Sequence, residues 1–404
     1  KFTPLYDMPL SKTDTNPSVI PVLVDESNKT LIGYDTEKDQ IEAGGLQEQV
    51  LENLPNLMKS GDTSKIAVLT DSANKVLIGY DTANDKAIIA GIELPNQKPL
   101  IKAINHVLFY GQSLSVGATA TTILSNSQPY FNKTFNTSPR KDSAATSVIP
   151  LVEQFNNPSS DGSANRGETC CSGAANYASR AMQIENGVDP ASHVIFASTA
   201  GHGGYRIDQL EKGAAWYSFF IEHVSEAKRL NGDDYKVQVV CWVQGENDAV
   251  TGTQTSYEVY RQKLEKLQSD ASVDIKAITG QTDEVKFITY QMSYAARTWE
   301  KQSLVHLNLC QQSDKFAMAT PIYHMPYAPD AVHLTNVGYK WLGAYFGLAY
   351  KQLVVDNRKP DFINPKSAQI INDEIHVKFD VPKLPLVLDT STLAVTTDNG
   401  FRVI

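Results

Sequence analysis

From position 106 onward, short apolar runs alternate with longer stretches whose apolar residues recur every three or four positions. The runs are HVLFYG (106–111), HVIFAST (His193–Thr199), VQVVCWVQG (Val237–Gly245), KFITYQM (Lys286–Met292) and KFAMATPIYH (Lys315–His324). Near-continuous apolar character over roughly four to eight residues predicts strands buried on both faces. The stretches between them predict helices: ANYASRAMQIENG from Ala175, IDQLEKGAAWYSFFIEHVSEAKRLNG from Ile207 to Gly232, and SYEVYRQKLEKLQSDAS from Ser256. A last helix, LTNVGYKWLGAYFGLAYKQLVVD, begins just after His333. Strands and helices in alternation imply an α/β domain with a mostly parallel sheet covered on both sides.

The first hundred residues follow a different pattern. VLVDESNKTLIGYDTEKDQIEAGG recurs as VLTDSANKVLIGYDTANDKAIIAGI, with Tyr34 aligned to Tyr80, a period of 46 residues. Each copy has two short β-type runs around a polar turn, a hairpin pattern. A lone hairpin is marginal in water, so the copies must pack on each other or on copies from other chains. Pro95 and Pro99 mark a boundary. The expected organisation is a repeat region over 1–98, the α/β domain over 99–356 and a small β-module over 357–404, with β-like runs IHVKFDV, PLVLDT and STLAVTT. Residues 118–172 interrupt the α/β rhythm with a polar stretch. Such inserts are usually functional loops or disorder, and this one is placed to wall a cleft with Tyr130, Phe131 and Asn132.

Composition narrows the function. The 404-residue chain carries a net charge of -9, which argues against nucleic acid, whose binding needs a basic surface. No apolar run approaches the length of a membrane span. No signal peptide is expected at the start, and Lys1 in place of methionine suggests a processed or excised piece. The four cysteines, Cys170, Cys171, Cys241 and Cys310, form no disulfide scaffold and no zinc-ligand spacing. Adjacent Cys170 and Cys171 are read as two small buried thiols rather than a strained bridge.

Four patterns lie at the carboxyl ends of the expected strands, where open α/β sheets bind ligands. Gly111 permits a sharp turn that presents Ser113, although Ser115 stands where a G-x-S-x-G elbow requires glycine. GHGGYRI (Gly201–Ile207) opens a helix with glycines whose N–H groups can face an anion. CWVQGENDAV (Cys241–Val250) places amide side chains where they can donate to developing negative charge. Asp330 stands three residues before His333, and a carboxylate bonded to an imidazole fixes its tautomer and leaves the other nitrogen as base.

Together these blocks resemble the SGNH (GDSL-type) hydrolases over about residues 105–355, and the GQS and QGE-N-D forms are most similar to the carbohydrate O-acetylesterase branch. The resemblance implies a flavodoxin-like three-layer α/β/α domain and acyl transfer, with Ser113 as nucleophile, His333 as base and Asp330 orienting it. The oxyanion would be held by the Ser113 N–H, a glycine N–H from Gly203 or Gly204, and an amide from Asn247 or Gln244; Gly204 and Asn247 are favoured. Asn247 departs from the branch, which often has serine there. Gln112, Tyr205, Arg206, Gln244 and Glu246 are candidate substrate contacts, with surface packing the alternative for Tyr205 and Arg206 and bracing of the turn for Glu246. This chemistry needs no metal and no organic cofactor.

The LIGYDT repeats resemble stem or attachment parts of bacteriophage tail-fibre and tailspike proteins. That implies an esterase acting on acetylated surface polysaccharide (O-antigen or capsule), a homotrimer, other virion proteins as neighbours and a place in the virion tail. The alternatives are a secreted bacterial carbohydrate acetylesterase of xylan or sialate type and a non-catalytic adhesin on a hydrolase fold.

Overall fold

The two copies of the N-terminal repeat fold alike. Strands β1 (Val19–Val24), β2 (Thr30–Asp35) and β3 (Gln40–Glu42) form an antiparallel sheet, as do β4 (Lys65–Thr70), β5 (Val76–Asp81) and β6 (Lys86–Ile89). Val19 faces Asp35 and Lys65 faces Asp81, and the ladder slip between Pro21 and Leu23 recurs between Ala67 and Leu69. The repeat is therefore one of pairing register as well as of sequence. The third strand in each copy goes beyond the expected hairpin and extends the marginal two-stranded unit. The computed structural model describes residues 104–155, 159–387 and 389, together with these six strands. The chain divides into two compact units, Lys1–Asn96 and Gln97–Ile404.

The second unit contains β7 (Ile104–Gly111), β8 (Lys133–Phe135), β9 (Val148–Pro150), α1 (Cys170–Asn186), β10 (Ile195–Thr199), α2 (Ala215–Asn231) and β11 (Tyr235–Val243). It continues with α3 (Tyr257–Thr279), β12 (Lys286–Gln291), α4 (Lys301–Gln312), β13 (Phe316–Pro321) and α5 (Asn336–Tyr350). The sheet order is β13-β12-β11-β7-β10-β8-β9, parallel throughout except for the β8–β9 pair. The five strands expected from sequence form its centre. Their order β10-β7-β11-β12-β13 is the flavodoxin-type winding, whose binding crevice lies where the chain reverses direction beside β7.

Alternation along the strands feeds two cores. Val107 and Phe109 pack with residues of α1 and α5, whereas Leu108 and Tyr110 pack with residues of α2, α3 and α4. In β11 the parity changes: Val237, Val240 and Trp242 face one core and Val239, Cys241 and Val243 the other. The register against β7 slips between Val237 and Val239, so Gln238 is an extra residue of the bulge type and reverses the alternation after it.

Helix boundaries follow local chemistry. Thr169 Oγ1 accepts the Cys171 N–H at 3.1 Å, so α1 starts five residues before Ala175. The stretch from Ile207 is two elements: a 3-10 turn over Ile207–Gln209, and then α2 from Ala215 after Gly213, whose φ is 101°. Ser256 caps α3, which runs to Thr279 and ends at Gly280 in the left-handed conformation. The α4 segment, not anticipated, is largely polar but buries Val305, Leu309 and Cys310.

In the insert, β8 and β9 extend the sheet. Asn132 is 1% exposed and joins Asn176, Ser179 and the Ile195 N–H, so it ties the sheet to α1 instead of lining a cleft. The C-terminal β-module is a hairpin, β14 (Asn364–Ile371) with β15 (Glu374–Asp380). Described residues of PLVLDT form no strand, and STLAVTT lies outside the described residues. All four cysteines are free and buried. No helix among the described residues is long and apolar enough to cross a membrane.

Candidate active site

The nucleophile turn is built by a close backbone approach. Gly111 has φ 151°, and a Cβ there would lie 2.0 Å from the Val243 carbonyl oxygen. The following Gln112 N–H donates to that same oxygen at 2.9 Å. A 3-10 turn over Ser113–Ser115 then starts directly beyond the strand, with Ser113 9% exposed. As the first residue of that turn, Ser113 has an N–H with no partner among the described residues.

The base comes from the segment between β13 and α5. His333 Nε2 stands 2.7 Å from Ser113 Oγ, and His333 Nδ1 stands 2.7 Å from Asp330 Oδ2. Asp330 Oδ1 accepts the backbone N–H groups of His333 and Val332 at 2.9 and 3.0 Å. The turn that permits this places Ala331 at φ 58°, a conformation costing roughly 1–2 kcal/mol in a residue with a side chain. Partial burial raises the Asp330 pKa, but the bonds from the His333 ring and from the two N–H groups outweigh that and lower it below the ordinary carboxylate value. With the proton on Nδ1, Nε2 is free to accept the Ser113 hydroxyl proton.

Two further loops are tied to the nucleophile turn, the His202 N–H donating to the Gly111 carbonyl at 2.9 Å and the Asn247 N–H to Gln112 Oε1 at 3.2 Å. Gly204 is exposed with φ 78°, and a Cβ there would lie 3.8 Å from Asn247 Nδ2. The Gly204 N–H and the Asn247 side-chain amide have no partner among the described residues. The neighbouring Gly203 N–H is already taken by Asp161 Oδ2 at 3.0 Å. Gln244 is fully buried: its Nε2 donates to Asp248 Oδ2 at 2.5 Å and to the Tyr205 carbonyl at 3.3 Å, and its Oε1 accepts the Tyr260 hydroxyl at 2.7 Å. Of the alternatives left open by the sequence, geometry leaves Gly204 and Asn247 with free donors.

Residues 108–352 match the family model described as "Carbohydrate esterase, sialic acid-specific acetylesterase". The chain belongs to this family. It is a carboxylic ester hydrolase of the carbohydrate acetylesterase type, which sets aside the adhesin reading. Among solved structures the esterase is similar to a protein from Arabidopsis thaliana (16% identity, TM-score 0.45, covering 61% of this chain and 98% of the other). It is also similar to NanS (14%, 0.46, 62% and 98%) and to Est24, a carbohydrate acetylesterase from Sinorhizobium meliloti (13%, 0.34, 60% and 96%). A comparison with curated proteins gives no match.

The candidate substrate contacts of the esterase are largely committed elsewhere, which corrects the expectation for several of them. Gln244 has no exposed surface to offer a sugar. Gln112 is 2% exposed, and its Oε1 accepts the N–H groups of Gly245 and Asn247, both at 3.2 Å; it ties the nucleophile turn to the amide turn. Glu246 is 6% exposed and receives the Tyr290 hydroxyl at 2.6–2.7 Å, so it braces the turn. Burial raises its pKa to about 7, against the Tyr290 hydrogen bond, which favours the charged form.

Tyr205 stacks on His202 with ring centroids 3.6 Å apart, and Arg206 donates to the Thr253 carbonyl at 2.7 Å while lying 3.5 Å from Asp208. Both bind neighbouring loops while staying partly exposed. Sequence reasoning missed Asp161 and Arg166, which reach Gly203 from the insert, and Tyr290. A lone Asp in a polar loop gives no local signal of such a contact.

Proposed function

We propose that this chain is a serine O-acetylesterase in which Ser113, His333 and Asp330 carry the reaction on acetylated polysaccharide. The observation that supports it most is the unbroken chain from Ser113 Oγ to His333 to Asp330, with both contacts at 2.7 Å. Ser113 Oγ attacks the acetyl carbonyl while His333 Nε2 takes its proton. The tetrahedral oxyanion is bound by the N–H groups of Ser113 and Gly204 and by Asn247 Nδ2. Collapse breaks the ester bond, and His333 returns the proton to the departing sugar oxygen. Water, activated by the same nitrogen, then hydrolyses the acetyl-serine to acetate.

The finer reading places this activity on O-antigen or capsule, within a trimeric phage tailspike bordered by other virion proteins. It rests on the resemblance of the tandem repeat to stem segments and on the common register of its two small sheets. Acetate release from intact lipopolysaccharide or capsule, together with a trimer by light scattering, is the expected result. Release only from xylan or O-acetylated sialic acid, or a monomer, favours a secreted carbohydrate acetylesterase instead.

A further inference from the structure

Gly203 and Gly204 are adjacent and both lack side chains, so something outside the pair must decide which N–H meets the oxyanion. Asp161 does so in the structure. Its carboxylate is 1% exposed and is gripped by Arg166 Nε and Nη2 at 3.0 and 2.6 Å. Ser159 Oγ and the Ser163 N–H hold its other oxygen at 2.5 and 3.2 Å. Arg166 in turn bonds Asn165 Oδ1 at 2.5 Å and Ser163 Oγ at 2.9 Å. The oxygen gripped by Arg166, Oδ2, also accepts the Gly203 N–H at 3.0 Å.

Gly203 is also shaped for this contact, because a Cβ there would lie 2.3 Å from Arg166 Nη2. A peptide N–H engaged by a fixed carboxylate cannot rotate toward the substrate, whereas the next residue, Gly204, stands beside the Asn247 amide and has an N–H with no partner among the described residues. Burial raises the Asp161 pKa, but Arg166 and Ser159 outweigh it and bring it to about 2, so the grip is present throughout the neutral range.

We propose that Asp161, locked by Arg166, is a positioning residue that selects Gly204 as the oxyanion-hole donor by occupying the Gly203 N–H. This rests on the reading of Ser113, Gly204 and Asn247 given above. It assigns part of the polar insert a role in transition-state stabilisation rather than in sugar contact. Asp161 touches no substrate. Its effect should therefore fall on kcat and on the binding of tetrahedral adducts, and not on KM.

The test uses the full chain with p-nitrophenyl acetate as substrate and methylboronic acid as a probe. The probe forms a tetrahedral adduct on Ser113 with an oxygen in the oxyanion site. For Asp161→Ala, kcat is expected to fall by about 10- to 100-fold, somewhat less than for deletion of a direct oxyanion donor, since the Gly204 N–H is displaced and not removed. KM is expected to stay within about twofold, and boronate affinity to fall in parallel with kcat. Asp161→Asn keeps an acceptor for Gly203 and is expected to recover most of the lost turnover.

Arg166→Lys gives up the two-nitrogen grip and serves as the second variant should Asp161→Ala fail to melt cooperatively; a partial, parallel loss of kcat and boronate affinity is expected. Unchanged kcat in a folded Asp161→Ala, or a loss of kcat with undiminished boronate affinity in either variant, overturns the positioning role. If the unsubstituted chain neither hydrolyses the ester nor binds the boronate, the reading of the active site itself fails, and this proposal with it.

Discussion

Asp330 holds His333 at two points, with one carboxylate oxygen 2.7 Å from ring Nδ1 and the other 2.9 Å from the backbone N–H of the same residue. The pair is not sealed, because the Asp330 side chain is 43% exposed. Water can take over part of the role when the carboxylate is removed. For Asp330→Ala the expected loss in kcat is about 100-fold, the low end of what an oriented general base supplies. Asp330→Asn should be worse than alanine, because its amide can donate to Nδ1 and leave the proton on Nε2, facing Ser113. Steady-state kinetics on the two variants check the order.

Asn247 and Gln244 separate chemistry from scaffolding. Asn247→Ala should lower kcat on an acetyl ester by about 100-fold or more, the effect of deleting one oxyanion donor. Gln244→Ala leaves Asp248 and the Tyr260 hydroxyl short of a buried partner, so it should lower stability by about 1–3 kcal/mol. Kinetics and thermal melts on both variants show whether the two effects fall on different observables.

Glu246 makes folding sensitive to pH in a defined window. Its pKa is raised from 4.5 to about 7 in the folded chain, so between those values the folded state keeps a proton that the unfolded chain releases. The stabilisation this gives is complete below about pH 4.5 and is lost as pH rises to about 7, a change of roughly 3 kcal/mol. Glu246→Gln should remove that slope. Denaturant melts from pH 4 to 8 check it, and parallel stability curves for the two proteins would contradict the assignment.

Much of this was legible in the sequence because the apolar runs of the five central strands are long and end in residues that leave few alternatives. Gly111 ends such a strand, Ser113 and Asn247 follow one within four residues, and Asp330 and His333 lie in the segment that leads into the last helix, so local pattern and function coincide. Elements with little apolar signal escaped: β8 and β9 have three residues each, and half of α4 is Lys, Gln, Ser and Asn. The sequence favours Asn247 over Gln244 but leaves both open, because Gly245, with φ 152°, turns the chain between them and only the folded turn shows which amide is buried. Asp161 was invisible for a different reason. Its meaning comes from a residue 42 positions away, and nothing in its neighbourhood marks it.

The most direct test of the esterase mechanism is acetate release from p-nitrophenyl acetate by the full chain and by its Ser113→Ala variant, with thermal melts to confirm that both are folded. The mechanism predicts steady release by the former and a loss of about 10³-fold or more in the latter. Hydrolysis that survives intact in a folded Ser113→Ala protein would contradict it.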